Sequence, residues 1–342
     1  MSSAGSELPG QHEFTWRDGD RTIIFRPGVL AESGEIVVAQ GWEPFELLTT
    51  DRALNSAPLE LPEWAEAMHR VPPGPVNEVA AGLIDEVSAP SLVALGGGRV
   101  IDVAKAIAAV RGGRVAALPT TLSGAEMTRV HRLPDGAEAP GLVRPALVIA
   151  DPEPMTTLPE KALRASAMNA LAHGAEPLYT PQANPVASLA ALRGARLVAK
   201  ALDQPPTKRD RQALALGSIL CAYALDSALF ALHHVVCQTL VRTLGTPHAE
   251  TNAAMLPRTM EAMRERAPKA ITALAQALGT PRAQLGKRIE GLAGGRRRLS
   301  KLGAEQQGIE PALDAILARP ELDWTPDPPD REELRALIQS AW

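Results

Sequence analysis

Three consecutive glycines follow a short apolar run and would let a ligand come close to the backbone. Residues 92–95 are apolar, Gly96, Gly97 and Gly98 come next, and helix-like sequence starts at Arg99. Glycine has no Cβ, so a phosphate can approach such a bend, and the helix after it offers free N–H groups and a positive dipole end. The bend therefore predicts a pyrophosphate site. A tight turn without a ligand is the alternative for the glycines alone, because their spacing is not G-x-G-x-x-G.

A second loop groups hydroxyl side chains beside a glycine. After the apolar residues 115–118 come Pro119, Thr120, Thr121, Ser123 and Gly124. Open α/β sheets bind their ligands at the carboxyl ends of parallel strands, which is where such a loop would lie. We therefore expect the two loops to form one ligand site. Taken alone, the two threonines are more typical of a turn or a helix N-cap.

Histidines gather in the second half of the chain. Asn169 and His173 are four residues apart and share a helix face, and His233, His234 and His248 follow. Three separated histidines with an asparagine could converge on one cation or on one anionic substrate. For His233, a hydrogen-bonded core position is the competing interpretation.

Strand-like and helix-like segments alternate before Asp151. This alternation predicts an α/β domain with a largely parallel, Rossmann-like sheet covered on both faces. After Asp151 only helix-like segments occur, which predicts an all-α domain. We place the domains at residues 1–151 and 152–342. The predicted strands are residues 14–16, 22–25, 36–38, 45–49, 92–95, 115–118 and 146–149. The predicted helices are residues 72–89, 158–177, 184–203, 209–244, 252–266, 267–278 and 331–342.

The composition excludes several classes of function. The net charge is -4 with a pI of about 6.0, so there is no basic field for a nucleic acid. No apolar run approaches the ~20 residues of a membrane span. The chain has only Cys221 and Cys237, and its start lacks a secretory pattern, so we expect a cytoplasmic protein without a membrane or nucleic-acid partner.

These segments together resemble the iron-containing alcohol dehydrogenase and dehydroquinate synthase-like superfamily. Members have a Gly-Gly-Gly-Ser-x-x-Asp-x-Ala-Lys loop, a Pro-Thr-Thr loop, and a helical domain in which an Asp and three His hold a divalent metal. Residues 166–173, 176–179, 184–185 and 247–251 look most like the maleylacetate reductase branch. The resemblance implies the dehydroquinate synthase-like fold and an NAD(P)H-dependent reductase. In that branch the C=C bond of 2-maleylacetate is reduced to give 3-oxoadipate in aromatic degradation.

The resemblance also implies which residues meet the cofactor. The three glycines would face the pyrophosphate, and Arg99 replaces the family's small Ser beside it, adding a cation that could pair with phosphate. Thr120 and Thr121 would line the nicotinamide end. The adenosine ribose would be read by Thr49, Thr50 and Asp51.

The metal-ligand positions of the family correspond to Asn169, His173, His234 and His248. Asparagine is a neutral and weaker ligand than aspartate, so we expect no tight divalent metal at this degenerate site. The reductase branch likewise has Asn here and as a rule works without metal. The three histidines and Asn169 would then contact a small carboxylic acid substrate and stabilise its oxyanion.

Other positions depart from the family. Gln238 stands where relatives have a histidine and cannot supply a proton as histidine does, and Val241-Arg242 replaces a Gly-Gly pair. Arg129 and Arg144 are candidate carboxylate clamps, with a solvated charged loop as the alternative.

Two alternative functions stay open at this point. One is a metal-dependent alcohol dehydrogenase in which Asn169 still ligates weakly. The other is a family member recruited to non-redox chemistry, such as cyclisation, in a biosynthetic pathway. By resemblance we also expect a homodimer, with residues 22–25 as a sheet edge that needs cover.

Overall fold

Seven strands build one sheet in the computed structural model, which describes residues 14–55 and 60–342. The sheet order is β1-β2-β7-β6-β5-β3-β4, and every neighbouring pair is parallel except β1 with β2. The strands are β1 (Phe14–Asp18), β2 (Arg21–Phe25), β3 (Phe45–Thr49), β4 (Ala67–Arg70), β5 (Ser91–Gly96), β6 (Arg114–Pro119) and β7 (Leu147–Ala150).

Helices cover this sheet and then form the second half of the chain. With the strands lie α1 (Ser33–Ala39), α2 (Asp51–Leu54), α3 (Glu60–Glu63), α4 (Val76–Leu83), α5 (Gly98–Arg111) and α6 (Pro152–Met155). The remaining α-helices are α7 (Glu160–Ala175), α8 (Pro185–Asp203), α9 (Arg211–Ala228), α10 (Leu232–Leu244), α11 (His248–Ala262), α12 (Pro268–Ala277), α13 (Leu285–Leu292), α14 (Ile309–Leu317) and α15 (Arg331–Ser340).

The central strands β5, β6 and β7 are apolar apart from Ser91 and Arg114, the first residues of β5 and β6, because both faces of the sheet are covered. Ala94 and Ala117 pack on one face against Ile101 of α5, whereas Leu95 and Leu118 belong to the core of the opposite face. The predicted fold class, an α/β part with a parallel sheet followed by an all-α part, is confirmed in the described residues.

One apolar core spans the two halves of the chain. Ile23, Phe25 and Val148 of the sheet lie in the same buried cluster as Met168 and Leu171 of α7. The sheet therefore packs directly on the helices that carry the histidines. The proposed division at Asp151 falls on the residue that caps α6, since its carboxylate accepts a hydrogen bond from the Glu153 N–H at 3.0 Å.

Some predicted elements are wrong. Residues 36–38 lie in α1, where burial of Val37 outweighs the strand preference of β-branched residues. Strand β4 has no β-branched residue and was not predicted. Residues 22–25 are not an edge, because β2 lies between β1 and β7. The helix predicted over residues 209–244 is two helices.

The break between α9 and α10 turns the chain by 100°. Leu229 has a φ of 65°, so the helix ends there, and α10 restarts at Leu232. By length and composition, no single described helix could cross a membrane, and only this bent pair passes together.

Candidate functional site

Three adjacent strands bring the two predicted loops to one edge of the sheet. Strands β6, β5 and β3 are neighbours, and Gly96 pairs in register with Pro119 while Leu95 pairs with Thr49. The Thr120 N–H donates to the Gly96 carbonyl at 2.9 Å. The loops are thus hydrogen-bonded to each other at the carboxyl ends of the strands, where open sheets bind ligands.

The glycine bend fits the diphosphate of a dinucleotide. Gly97 precedes the first turn of α5, whose leading N–H groups have no partner within the helix. A Cβ on Gly98 would lie 2.9 Å from Ser123 Cβ, and one on Gly97 would lie 3.1 Å from Thr121 Cγ2. The glycines are therefore also needed for the close packing of the two loops.

Arg99 leaves the bend open for an anion. Its side chain is exposed and forms no hydrogen bond or ion pair with any described residue. A guanidinium in the first turn of α5 is placed where a phosphate would meet it.

The residues predicted to read the ribose are engaged within the protein. Thr49 Oγ1 donates to the Leu95 carbonyl at 2.9 Å, and Thr50 Oγ1 accepts from the N–H of Ala53 at the start of α2. The exposed Asp51 carboxylate pairs with Arg70 Nε at 2.7 Å. Among these residues, only the Asp51–Arg70 pair presents a charged group at the edge.

A hydrogen-bond chain joins the second loop to the histidines. Asn169 Nδ2 donates to the Ser123 carbonyl at 3.1 Å, so Asn169 Oδ1 must be the atom that meets His248 Nε2 at 3.2 Å. Since Oδ1 can only accept, this assignment gives His248 its proton on Nε2. The Ser123 carbonyl thereby explains why position 169 is an asparagine. An aspartate there would place a carboxylate oxygen against the carbonyl oxygen, and neither of these two acceptors could donate a hydrogen bond.

His173 and His234 stack beside this chain. Their ring centroids are 5.0 Å apart with an interplanar angle of 17°. Gly124 makes room for the stack, because a Cβ there would lie 2.8 Å from His173 Nδ1. The structure thus brings Asn169, His173, His234 and His248 together, as the sequence predicted.

Glu176 orients His234, a role that the sequence analysis missed. The fully buried carboxylate accepts from His234 Nδ1, from the His233 N–H at 2.6 Å and from the Tyr179 hydroxyl at 3.2 Å. His234 therefore carries its proton on Nδ1, and its Nε2, which is buried and has no partner, is a lone pair facing the cluster. A glutamate within apolar helix-like sequence was the available signal, because buried carboxylates are rare and nearly always paired.

The histidines are neutral at pH 7. Desolvation first, then the charges of His248 and Arg319, lower the pKa of His234 to about 3. Desolvation also holds the pKa of His173 well below its usual range and lowers that of His248. Burial raises the pKa of Glu176, an effect opposed by its N–H donors. The cluster thus offers hydrogen-bond donors and acceptors but no positive charge.

The other singled-out residues have structural partners. His233 bonds to Thr259 Oγ1 at 2.9 Å and to Asn252 Oδ1 at 2.7 Å, as a core histidine does. Arg129 and Arg144 both pair with the buried Asp226, at 3.3 and 3.0 Å, so neither is a free carboxylate clamp.

The donor set does not fit a divalent metal. His248 Nε2 and Asn169 Oδ1 face each other rather than a common point, and the His173 and His234 rings stack on each other. Within residues 14–55 and 60–342, no three His, Cys, Asp or Glu side chains are grouped to hold a metal ion. We therefore derive no chemical step through a metal.

Known proteins resemble this chain in sequence and in fold. The profile of the Fe-containing alcohol dehydrogenase family, C-terminal, matches residues 164–342. Maleylacetate reductase 1 of Rhodococcus opacus is 36% identical over 287 residues, which are 81% of this chain and 79% of that protein. The crystal structure of maleylacetate reductase from Agrobacterium tumefaciens superposes with a TM-score of 0.82 at 29% identity, covering 96% of this chain and 98% of that one.

The fold, the site and these relatives define an oxidoreductase. The chain belongs to the Fe-containing alcohol dehydrogenase family. The resemblance recognised from the loops and histidines is thus confirmed.

A second buried carboxyl, that of Glu126, belongs to the same connection after β6 that carries Thr120 and Thr121. Neither Glu126 oxygen has a geometrically sound hydrogen-bond partner, and the residue is fully buried. Desolvation raises the Glu126 pKa to about 7, against the opposing effects of its own backbone and of Lys105. Lys105 itself is buried and donates to Asp102 Oδ1 at 2.8 Å.

Glu126 should make the protein less stable as the pH rises. Its pKa is 4.5 in an ordinary environment and about 7 in the folded chain, so between these values the unfolded chain releases a proton that the folded chain keeps. The free energy of unfolding should fall by about 3 kcal/mol across this range. Urea unfolding at pH 5 and pH 8 should show Glu126→Gln gaining stability relative to wild type at pH 8. The exposed Glu35→Gln is the control, and an equal pH dependence in wild type and Glu126→Gln would contradict the assignment.

Proposed function

We propose that this chain is an NAD(P)H-dependent reductase of the maleylacetate type, which reduces the C=C bond of an enone dicarboxylate to give a 3-oxoadipate-type product. The observation that carries the proposal is the Asn169 Nδ2 to Ser123 carbonyl hydrogen bond of 3.1 Å. It fixes the neutral histidine cluster directly against the loop that follows β6. The maleylacetate reductases among its relatives support the substrate class.

The residues of the two loops would hold the cofactor. Gly96, Gly97, Gly98 and the first turn of α5 would take the diphosphate, with Arg99 as a cationic partner. Thr120 and Thr121 would line the nicotinamide end, and Asp51 with Arg70 would meet the adenosine ribose. When bound, NAD(P)H supplies the hydride.

The roles of His248 and His234 differ because different ring nitrogens carry their protons. His248 bears its proton on Nε2, where it would donate to a substrate oxyanion in place of Asn169 Oδ1. The proton that completes reduction of the C=C bond would come from water. His234 has a lone pair on Nε2 and can only accept there, which makes it unfit as the proton donor in this tautomer. A single preorganised donor at an oxyanion is worth ~3–4 kcal/mol of barrier.

We further propose that the enzyme works in the cytoplasm as a homodimer. Cys221 and Cys237 are buried free thiols, as expected of a reducing compartment. The outer strands β1 and β4 leave sheet edges that a second copy could cover.

Binding of NAD(P)H tests the cofactor assignment. Titration of cofactor fluorescence should show wild type binding NADH or NADPH, and Gly98→Ala should weaken binding about tenfold or more, since its Cβ separates the two loops. Gly82→Ala on α4 is the matched control, because a Cβ there meets nothing within 4 Å. Circular dichroism verifies that the variants are folded.

Arg99→Ser completes this experiment. Because Arg99 is free of internal bonds, we expect its loss to weaken binding rather than improve it. Wild type and Arg99→Ser both failing to bind either nucleotide would contradict the reductase and favour non-redox chemistry.

Metal dependence separates the reductase from a metal-requiring alcohol dehydrogenase. We expect wild type to retain its activity after dialysis against a chelator. Calorimetry with Zn²⁺ should show Asn169→Asp binding about tenfold or more tightly than wild type, because a carboxylate replaces a neutral amide among the donors. Stoichiometric metal in purified wild type, with activity lost on chelation, would refute the metal-free proposal.

A further inference from the structure

A dicarboxylate substrate needs positive charge that the histidine cluster lacks. His173, His234 and His248 are neutral, and Asn169 is uncharged. Burying a carboxylate without a cation or several donors is costly. Arg129 and Arg144 share one acidic partner, Asp226, so the three side chains carry one net positive charge. If the proposed function holds, a substrate with two carboxylates needs a further source of positive charge.

Helix α10 continues from the cluster towards two arginines. His234, Gln238 and Arg242 are spaced four residues apart and therefore share one face of the helix. Gln238 Oε1 accepts from Arg319 Nη1 at 2.8 Å. This bond fixes the amide, so that both Gln238 Nε2 hydrogens remain available as donors.

Arg319 is held rigidly beside the cluster. Its Nε and Nη2 pair with the two Glu321 oxygens at 3.1 and 2.9 Å, and its guanidinium lies 5.8 Å from the centre of the Phe230 ring. That ring is 5.6 Å from the ring of His234. The Arg319 side chain is 13% exposed, so solvent, and hence an anion, can reach it.

Positive charge accumulates here. The pKa of Arg242 is lowered, first by desolvation and then by the nearby charges of Arg319 and Arg132, with Glu321 opposing. Burial is the main cause of the lowered pKa of His248; Asp102 and Glu250 oppose it, and Arg132 adds to it. Burial is also the main cause at His234, where Arg319 adds to the lowering of the pKa. Arg132, Arg242 and Arg319 thus contribute positive charge near the cluster, opposed by Glu321 at Arg242 and by Asp102 and Glu250 at His248.

We propose that Arg242, Arg319 and the Gln238 amide bind one carboxylate of the substrate and thereby select dicarboxylates over monocarboxylates. The two departures from the family, Gln238 and Arg242, then act together. Gln238 cannot transfer a proton, but its hydrogen bond holds Arg319 at the carboxylate site. Arg242 adds a positive charge one turn further along α10. These are specificity residues for the proposed function, on which this inference rests.

The test compares two enone substrates, one with two carboxylates and one in which the carboxylate beyond the ketone is replaced by a methyl group. For Arg242→Gln we expect KM for the dicarboxylate to rise about tenfold or more with kcat nearly unchanged, and KM for the monocarboxylate to change little. Arg242→Lys should restore part of the discrimination, since it keeps the charge but not the bidentate geometry. Arg319→Gln should act in the same direction.

Arg196→Gln is the matched control, because Arg196 is an exposed arginine on α8. Equal KM changes for both substrates, or no change for either, would overturn the carboxylate site. Succinate binding, measured by thermal shift at constant ionic strength, tests the carboxylate site independently of the proposed reductase activity. If no enone is reduced but Arg242→Gln still loses succinate binding, the site stands and the reductase fails.

Discussion

The buried Glu176 carboxylate is the interaction on which the site depends. It accepts the first N–H groups of α10 from His233 and His234, the imidazole Nδ1–H of His234 and the Tyr179 hydroxyl. The Glu176 carboxylate thus stabilises the start of α10, which is turned by 100° from α9. The same carboxylate sets the tautomer of His234 in the first turn of α10. Glu176 therefore both caps α10 and orients the His234 side chain.

A second constraint joins the halves of the molecule. The Ser123 carbonyl, in the loop after β6, holds the amide of Asn169 and through it the proton of His248. Because the same loop packs on Gly97 and Gly98, a shift of the glycine bend would be transmitted to the histidines. The asparagine, which weakens the position as a metal ligand, is the residue that this carbonyl requires.

Local sequence patterns predicted the fold class and the histidine cluster, because these patterns involve residues that are close together in the chain. The glycine bend, the hydroxyl loop and the i, i+4 pair Asn169 and His173 could be read directly from the sequence. The α9–α10 break, strand β4 and the helical state of residues 36–38 depend on tertiary contacts that outweigh propensity. The roles of Glu176, Arg319 and Asp226 could not be read from spacing. The partners that define these roles, which are His233 for Glu176, Gln238 for Arg319 and Arg144 for Asp226, lie 57 or more positions away in the chain. Arg129 and Arg144 looked available only because their buried acid was not identified.

A neutral histidine, His234, is oriented by Glu176 and presents a lone pair near the loop that follows β6. Nitrogen-15 NMR of histidine-labelled protein measures this most directly, with the His234 signals assigned by their loss in His234→Asn. We predict that His234 is protonated on Nδ1 only and stays neutral from pH 8 down to pH 5, because its pKa is about 3. An imidazolium at pH 7, or a proton on Nε2, would contradict this assignment of the His234 proton.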